Sequence, residues 1–196
     1  MKLLMPKDQT DQASPKKTKT VRELGPVDIS GIKQGILDLP LELWQSEDNS
    51  KPNKFKELGR TSHIVFKFVK DYDDHCEAQF YPIWDEWKDR LGPVLDAATR
   101  PYGYTKGDFS RIMLAKLPAH SKITPHIDPY GSSYFTHKIH IPIVTHPDVE
   151  FMVGKTRYHF PEGHAFEVNN KAIHAAFNNS DLDRIHLIVE YFEEEE

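Results

Sequence analysis

The sequence predicts a mainly β fold, a sandwich, jelly roll or small barrel backed by one helix, and three observations support this. Seven short strand-like runs follow one another between residues 111 and 192, with turn signals such as "HPD", "GK", "PEG" and "NNSDLD" between them. One window, "EAQFYPIWDEWKDRLGPVLDAATR", repeats its apolar residues Phe80, Ile83, Trp84, Trp87, Leu91, Val94 and Leu95 at three- and four-residue steps, the period of an amphipathic helix over about 77–98. Finally, 196 residues with 38% hydrophobic and 11% aromatic content suffice for one domain with a sizeable core.

Residues 1–24 carry almost nothing to bury, and "KDQTDQASPKKTKT" reads as a flexible arm. Residues 25–192 form the single domain, and 193–196, "EEEE", an acidic tail. Within the domain, "GILDLPLELW" (35–44) and "TSHIVFKFVKD" (61–71) read as strands or strand edges, the second with a period near two. After the helix come "RIMLAKL" (111–117), "HKIHIPIV" (137–144), "VEFMVG" (149–154), "TRYHF" (156–160), "HAFEV" (164–168), "HAAFN" (174–178) and "RIHLIVEYF" (184–192).

Composition narrows the function. A net charge of −5 offers no basic field for a phosphate backbone, which argues against nucleic acid as a general partner. The single cysteine, Cys76, excludes an internal disulfide and suits a reducing compartment. No apolar run approaches the roughly 20 residues of a membrane span, so a cytoplasmic protein without a membrane partner is expected. Nine of the eleven histidines fall between 120 and 186, one third of the chain.

Two of them carry chemistry. In "TPHIDPYG" (124–131), at the end of a strand running into a turn, His126 and Asp128 share one face, so a nitrogen and an oxygen converge on one point. Alone, such a pair is ordinary turn chemistry before a proline. His174, at the start of a late strand, supplies a third ligand, and two histidines with one carboxylate form a facial set that leaves three adjacent positions open on an octahedral Fe(II). Arg184, ten residues on, heads the last strand, where a guanidinium grips a carboxylate in bidentate fashion. Taken singly, His174 reads as a strand-end histidine bonded to backbone, and Arg184 as an ion-pair partner of Asp181 or Asp183.

In that order these pieces resemble the iron(II)- and 2-oxoglutarate-dependent oxygenases, and more narrowly the aspartyl/asparaginyl β-hydroxylase family, over roughly residues 108–192. "LAKLPAHSKITPHID" resembles the family's strand with one proline some eight residues before the metal histidine and another directly preceding it. "HKIHIPI" resembles its basic-x-His-hydrophobic strand, "TRYHFPEGHAFEVNNKAIHAAFN" its hairpin leading to the second metal histidine, and "DLDRIHLIVEYF" its closing strand. The resemblance implies a double-stranded β-helix, with His126, Asp128 and His174 on Fe(II) and Arg184 on the distal carboxylate of 2-oxoglutarate. It places Lys138 and His140 where the family contacts the cosubstrate. Some relatives have glycine at the position of Asp128. Ala115 stands where they use a serine, and Lys138 where they use an arginine. The implied reaction uses O₂ to hydroxylate an unactivated C–H bond, releasing succinate and CO₂, on a small-molecule or amino-acid substrate, free, carrier-bound or peptidyl. The oligomeric state is not legible.

A reading from another class is a non-redox, cupin-like metal-binding module or a metal-dependent hydrolase with the same three ligands. Arg184 discriminates, because a hydrolase has no use for a carboxylate anchor there. The remaining histidines, His137, His146, His159, His164 and His186, read as structural, with His186 on the same strand face as Arg184.

Overall fold

The structure, a computed structural model, describes residues 15–50, 61–128 and 131–194. Its elements in chain order are β1 (Val21–Pro26), α1 (Ser30–Leu37), α2 (Leu41–Ser50), β2 (Ser62–Val69), β3 (Ala78–Phe80), α3 (Trp84–Thr99), β4 (Gly107–Leu117), β5 (Ser121–His126), β6 (His137–Val144), β7 (Val149–Val153), β8 (Thr156–Tyr158), β9 (His164–Val168), β10 (His174–Asn178) and β11 (Arg184–Glu193). Seven strands form one antiparallel sheet in the order β1-β9-β6-β11-β4-β2-β3, and four form a second in the order β5-β10-β7-β8. The two sheets face each other as a jelly roll, and the helices cover the outer face of the larger one.

The last strand shows how sequence sets this arrangement. Side chains alternate across a strand. Ile185, Leu187, Val189 and Tyr191 therefore join the core beneath the helices, with Trp87, Leu91 and Ile32, whereas Ile188 packs on Met113, Val65 and Phe68 on the other face. Because both faces are covered, Arg184–Phe192 is buried throughout. In α3 the expected face, Trp87, Leu91, Val94 and Leu95, is buried, while Trp84 is half-buried and stacks on the exposed Phe80 at 4.8 Å.

All seven strand-like runs between 111 and 192 are strands, and "TSHIVFKFVKD" contains β2. Four expectations change. "GILDLPLELW" is helical, the end of α1 and the start of α2 on either side of Pro40. Its leucines alternate, but burial follows a helical spacing: Ile32, Ile36 and Trp44 are inside while Leu37 and Leu41 are exposed. The helix expected over 77–98 begins at Trp84, because Ala78–Phe80 adds β3 to the sheet edge. The arm expected over 1–24 ends before Val21, since backbone pairing of β1 with β9 fixes Val21–Pro26 at the opposite edge, and Thr20 accepts bonds from Asn169 N and Tyr158 Oη, both at 2.8 Å. Residues 1–14 lie outside the described residues. At the far end β11 runs to Glu193, and Glu194 N bonds Lys106 O at 3.1 Å; residues 195–196 lie outside the described residues. None of the described helices is long and apolar enough to cross a membrane.

Candidate active site

Between the two sheets lies a cavity of about 590 Å³ whose wall contains every residue singled out from sequence: His126, Asp128, His174, Lys138, His140 and Arg184. His126 ends β5 and His174 begins β10, and they are direct cross-strand partners, with ring centroids 4.2 Å apart. Asp128 follows in the turn, where its backbone N–H donates to Asn170 O at 2.9 Å. The Asn170 amide in turn donates to Ser133 O at 3.0 Å, which ties this turn to the segment after it.

One ligand atom from each of His126, Asp128 and His174 lies within 4.8 Å of the others. Both imidazoles are oriented alike: His126 Nδ1 donates to Thr124 O at 2.8 Å and His174 Nδ1 to Ala172 O at 3.0 Å. Only a protonated Nδ1 can donate to a carbonyl, so both rings keep the lone pair on Nε2, as a metal requires. Those Nε2 atoms stand 3.6 and 3.7 Å from the two Asp128 carboxylate oxygens. Burial pulls the His174 imidazole down to about 4, so it is neutral and ready to ligate at neutral pH. Burial by itself would raise the Asp128 carboxyl, but the Lys138 ammonium, with His174 and His126, holds it well below the usual carboxylate range.

Lys138 donates to Asp128 Oδ2, so in this structure its ammonium serves the carboxylate ligand. His140 is buried in the cavity wall; burial and the Arg184 charge push its pKa well below the ordinary histidine value, and its Nε2 has no partner among the described residues.

Arg184, only 2% exposed, is the most informative. It does not pair with Asp181 or Asp183: Asp181 bonds His120 at 2.8 Å and Asp183 accepts from Ala119 N at 3.1 Å. No carboxylate of the described residues forms an ion pair with it. Among the described residues its side chain bonds one neutral group, His186 Nδ1, which accepts at 2.7 Å. Burial alone pulls the guanidinium down to about 9, still protonated at neutral pH. A buried, charged donor without a counter-ion among the described residues, opening on the cavity where His126, Asp128 and His174 converge, leaves a charge that an anion can meet.

Sequence reasoning missed three contributors to the wall, Arg111, His63 and Ser133. Arg111 carried a signal, a charge opening the run "RIMLAKL" on the same strand face as the apolar Met113 and Ala115.

The chain is also similar to known proteins, in family and in fold. The family model described as "Aspartyl/Asparaginyl beta-hydroxylase" matches residues 94–194. The chain is similar to a 2OG-Fe(II) oxygenase family oxidoreductase from Burkholderia pseudomallei, with 12% identity over 93% of this chain and 95% of that one and a TM-score of 0.54. It is similar to SnoK, an alpha ketoglutarate dependent carbocyclase from nogalamycin biosynthesis, with 11% identity over 89% and 79% and a TM-score of 0.58. A prolyl-4-hydroxylase from Pseudomonas putida follows, with 9% identity over 90% and 94% and a TM-score of 0.51. At these identities the structural likeness concerns the fold. No curated protein matches the chain.

Proposed function

Because the chain belongs to the aspartyl/asparaginyl β-hydroxylase family, a family of hydroxylases, we propose that it is an Fe(II)- and 2-oxoglutarate-dependent dioxygenase. In this reading it hydroxylates an unactivated C–H bond of an amino acid, free, carrier-bound or peptidyl, and releases succinate and CO₂. The observation that carries the reading is the buried Arg184, without a counter-ion among the described residues, in the same cavity as His126, Asp128 and His174. A hydrolase built on those three ligands has no use for such a cation.

Fe(II) with 2-oxoglutarate and O₂ supplies the oxidising power for C–H hydroxylation. The protein's part is placement. His126 and His174 present Nε2 because backbone carbonyls hold their Nδ1 protons. Asp128 gives the third ligand, and Lys138 keeps it ionised and oriented. Arg184 takes the distal carboxylate of the cosubstrate through its fork, while His186 fixes the guanidinium from the side. Apolar Met113, Ile123, Phe151 and Ile188 line the cavity and limit water near the metal.

The test is an anaerobic titration of Fe(II)-loaded protein with 2-oxoglutarate, followed by visible absorption. A weak charge-transfer band that saturates with the cosubstrate is expected. Binding of Fe(II) without any such band on adding 2-oxoglutarate would overturn the proposal in favour of a non-redox metal site.

A further inference from the structure

Arg184 forms one side of the place that an anion can occupy, and β2 supplies the other. Thr61 and His63 border the same cavity and are 3% and 4% exposed. Neither lies within residues 94–194, which the family model matches, and no motif marks Thr61 in the sequence. Thr61 Oγ1 stands 3.4 Å from His63 Nε2, at the long limit of a hydrogen bond, so within this pair the hydroxyl proton is held only weakly.

Sheet register sets the two sides opposite each other. His63, Ala115 and His186 are paired in one row across β2, β4 and β11, and the Arg184 guanidinium reaches into this row, donating to His186 Nδ1 at 2.7 Å. Thr61 lies one residue beyond the pair Ser62–Lys116, beside Leu117, the β4 partner of Arg184. Neighbouring strands stand about 4.8 Å apart, so β2 and β11, with β4 between them, are about 10 Å apart. In the middle of the row is Ala115, whose methyl group leaves the space above β4 to the cavity. A carboxylate in that space has the guanidinium fork on one side, the Thr61 hydroxyl on the other and an apolar floor.

We propose that Thr61 donates its hydroxyl proton to the distal carboxylate of 2-oxoglutarate, and that His63 positions this hydroxyl by donating from Nε2 to Thr61 Oγ1. The two donors then run in one direction, imidazole to hydroxyl to carboxylate, and each strengthens the next. A carboxylate held from both sides fixes the length of the 2-oxo acid that spans from Arg184 to the metal ligands, so β2 sets the cosubstrate specificity of the site. The assignment rests on the oxygenase reading above and adds a division of labour to it: Arg184 supplies the charge, and the Thr61–His63 pair selects for the second carboxylate.

The experiment titrates full-length, Mn(II)-loaded protein calorimetrically with 2-oxoglutarate and with 2-oxopentanoate, which has the same chain and the same chelating end but finishes in a methyl group. Thr61→Val keeps the shape of the side chain and removes the hydroxyl. It is expected to weaken 2-oxoglutarate roughly tenfold, and to leave 2-oxopentanoate and Mn(II) within about twofold of wild type. Thr61→Ser returns the hydroxyl and is expected to recover most of the affinity. His63→Leu is expected to weaken 2-oxoglutarate about threefold or more, and Thr61→Val/His63→Leu no more than Thr61→Val alone, because His63 acts through the hydroxyl. Unchanged 2-oxoglutarate affinity in Thr61→Val, equal losses for the two acids, no recovery in Thr61→Ser, or additive losses in the double variant would overturn the proposal. Those outcomes leave the oxygenase reading standing, since wild-type protein still binds 2-oxoglutarate; wild-type protein that binds neither acid refutes that reading, and this assignment with it.

Discussion

Replacing Arg184 by methionine removes a charge for which the described protein supplies no counter-ion, so stability and ligand affinity are expected to move in opposite directions. Burial lowers the guanidinium from 12.5 to about 9, which at 1.36 kcal/mol per pKa unit is roughly 5 kcal/mol of lost solvation. Against this stands the bond to His186 Nδ1 at 2.7 Å, whose loss leaves a buried acceptor at a cost of about 1–3 kcal/mol. Methionine refills most of the volume with a flexible apolar chain. The balance makes ligand-free Arg184→Met at least as stable as wild type, measured by urea unfolding at matched m-values. In the loaded protein the same change strips the distal carboxylate of its partner, a loss of about 2–4 kcal/mol, or roughly 30- to 1,000-fold in 2-oxoglutarate affinity. Isothermal titration into Mn(II)-loaded protein reads this, and Arg184→Lys recovers only part because a point charge lacks the fork. A ligand-free variant destabilised by more than about 2 kcal/mol, with 2-oxoglutarate affinity intact, would refute the reasoning and make Arg184 a structural cation held by His186.

Three further outcomes are expected. His174→Ala removes a ligand whose strand pairing is backbone-made, so Mn(II) affinity followed by electron paramagnetic resonance falls by more than the roughly 10–100-fold typical of second-layer partners, while urea stability of the metal-free protein changes by about 1–2 kcal/mol. Asp128→Gly leaves the Lys138 ammonium unpaired beside the cation; adding Lys138→Met is expected to recover part of the lost Mn(II) affinity, and strictly additive losses would show the two residues uncoupled. On β11, Leu187→Ala, in the core beneath the helices, should cost about 2–5 kcal/mol in urea unfolding, and Ile188→Ala less, because its neighbours already border a cavity.

Most of the site and the β-rich half of the chain were legible because each carries a local signal. The strands from 111 onward are short apolar runs between turn residues, and five of the seven both start and end within one residue of their sequence-assigned limits. His126, Asp128, His174 and Arg184 stand out as polar residues at strand ends in a fixed order, and the fold brings all four to one cavity. The errors come from non-local causes. Leucine alternation in 35–44 imitates a strand, but the helix is decided by Ile32 and Ile36 reaching a core built from strands much later in the chain. β1 has few apolar residues and is held by backbone pairing to β9, an edge that no property of residues 21–26 announces. The pairing of Lys138 with Asp128 depends on two sheets facing each other, which no spacing within "HKIHIPIV" encodes.

The same strands show which face of a doubly buried strand borders the cavity. β11 is buried on both faces, so hydrophobic alternation cannot separate them. Polarity does. Arg184, His186 and Glu190 fall on one face and Ile185, Leu187, Val189 and Tyr191 on the other; on β6 Lys138 and His140 face the cavity while Ile139, Ile141 and Ile143 join the core; on β4 Arg111 and Ala115 do so while Ile112 and Leu114 do not. A buried polar group is costly unless something meets it. Where the protein meets it, as with Arg111 Nη1 at Glu190 or Lys138 at Asp128, the group is structural or orients a ligand. Where a whole buried charge is left without a counter-ion among the described residues and borders a cavity, the deficit marks a place that a bound anion can complete. Arg184 is such a place, in the same cavity as His126, Asp128 and His174.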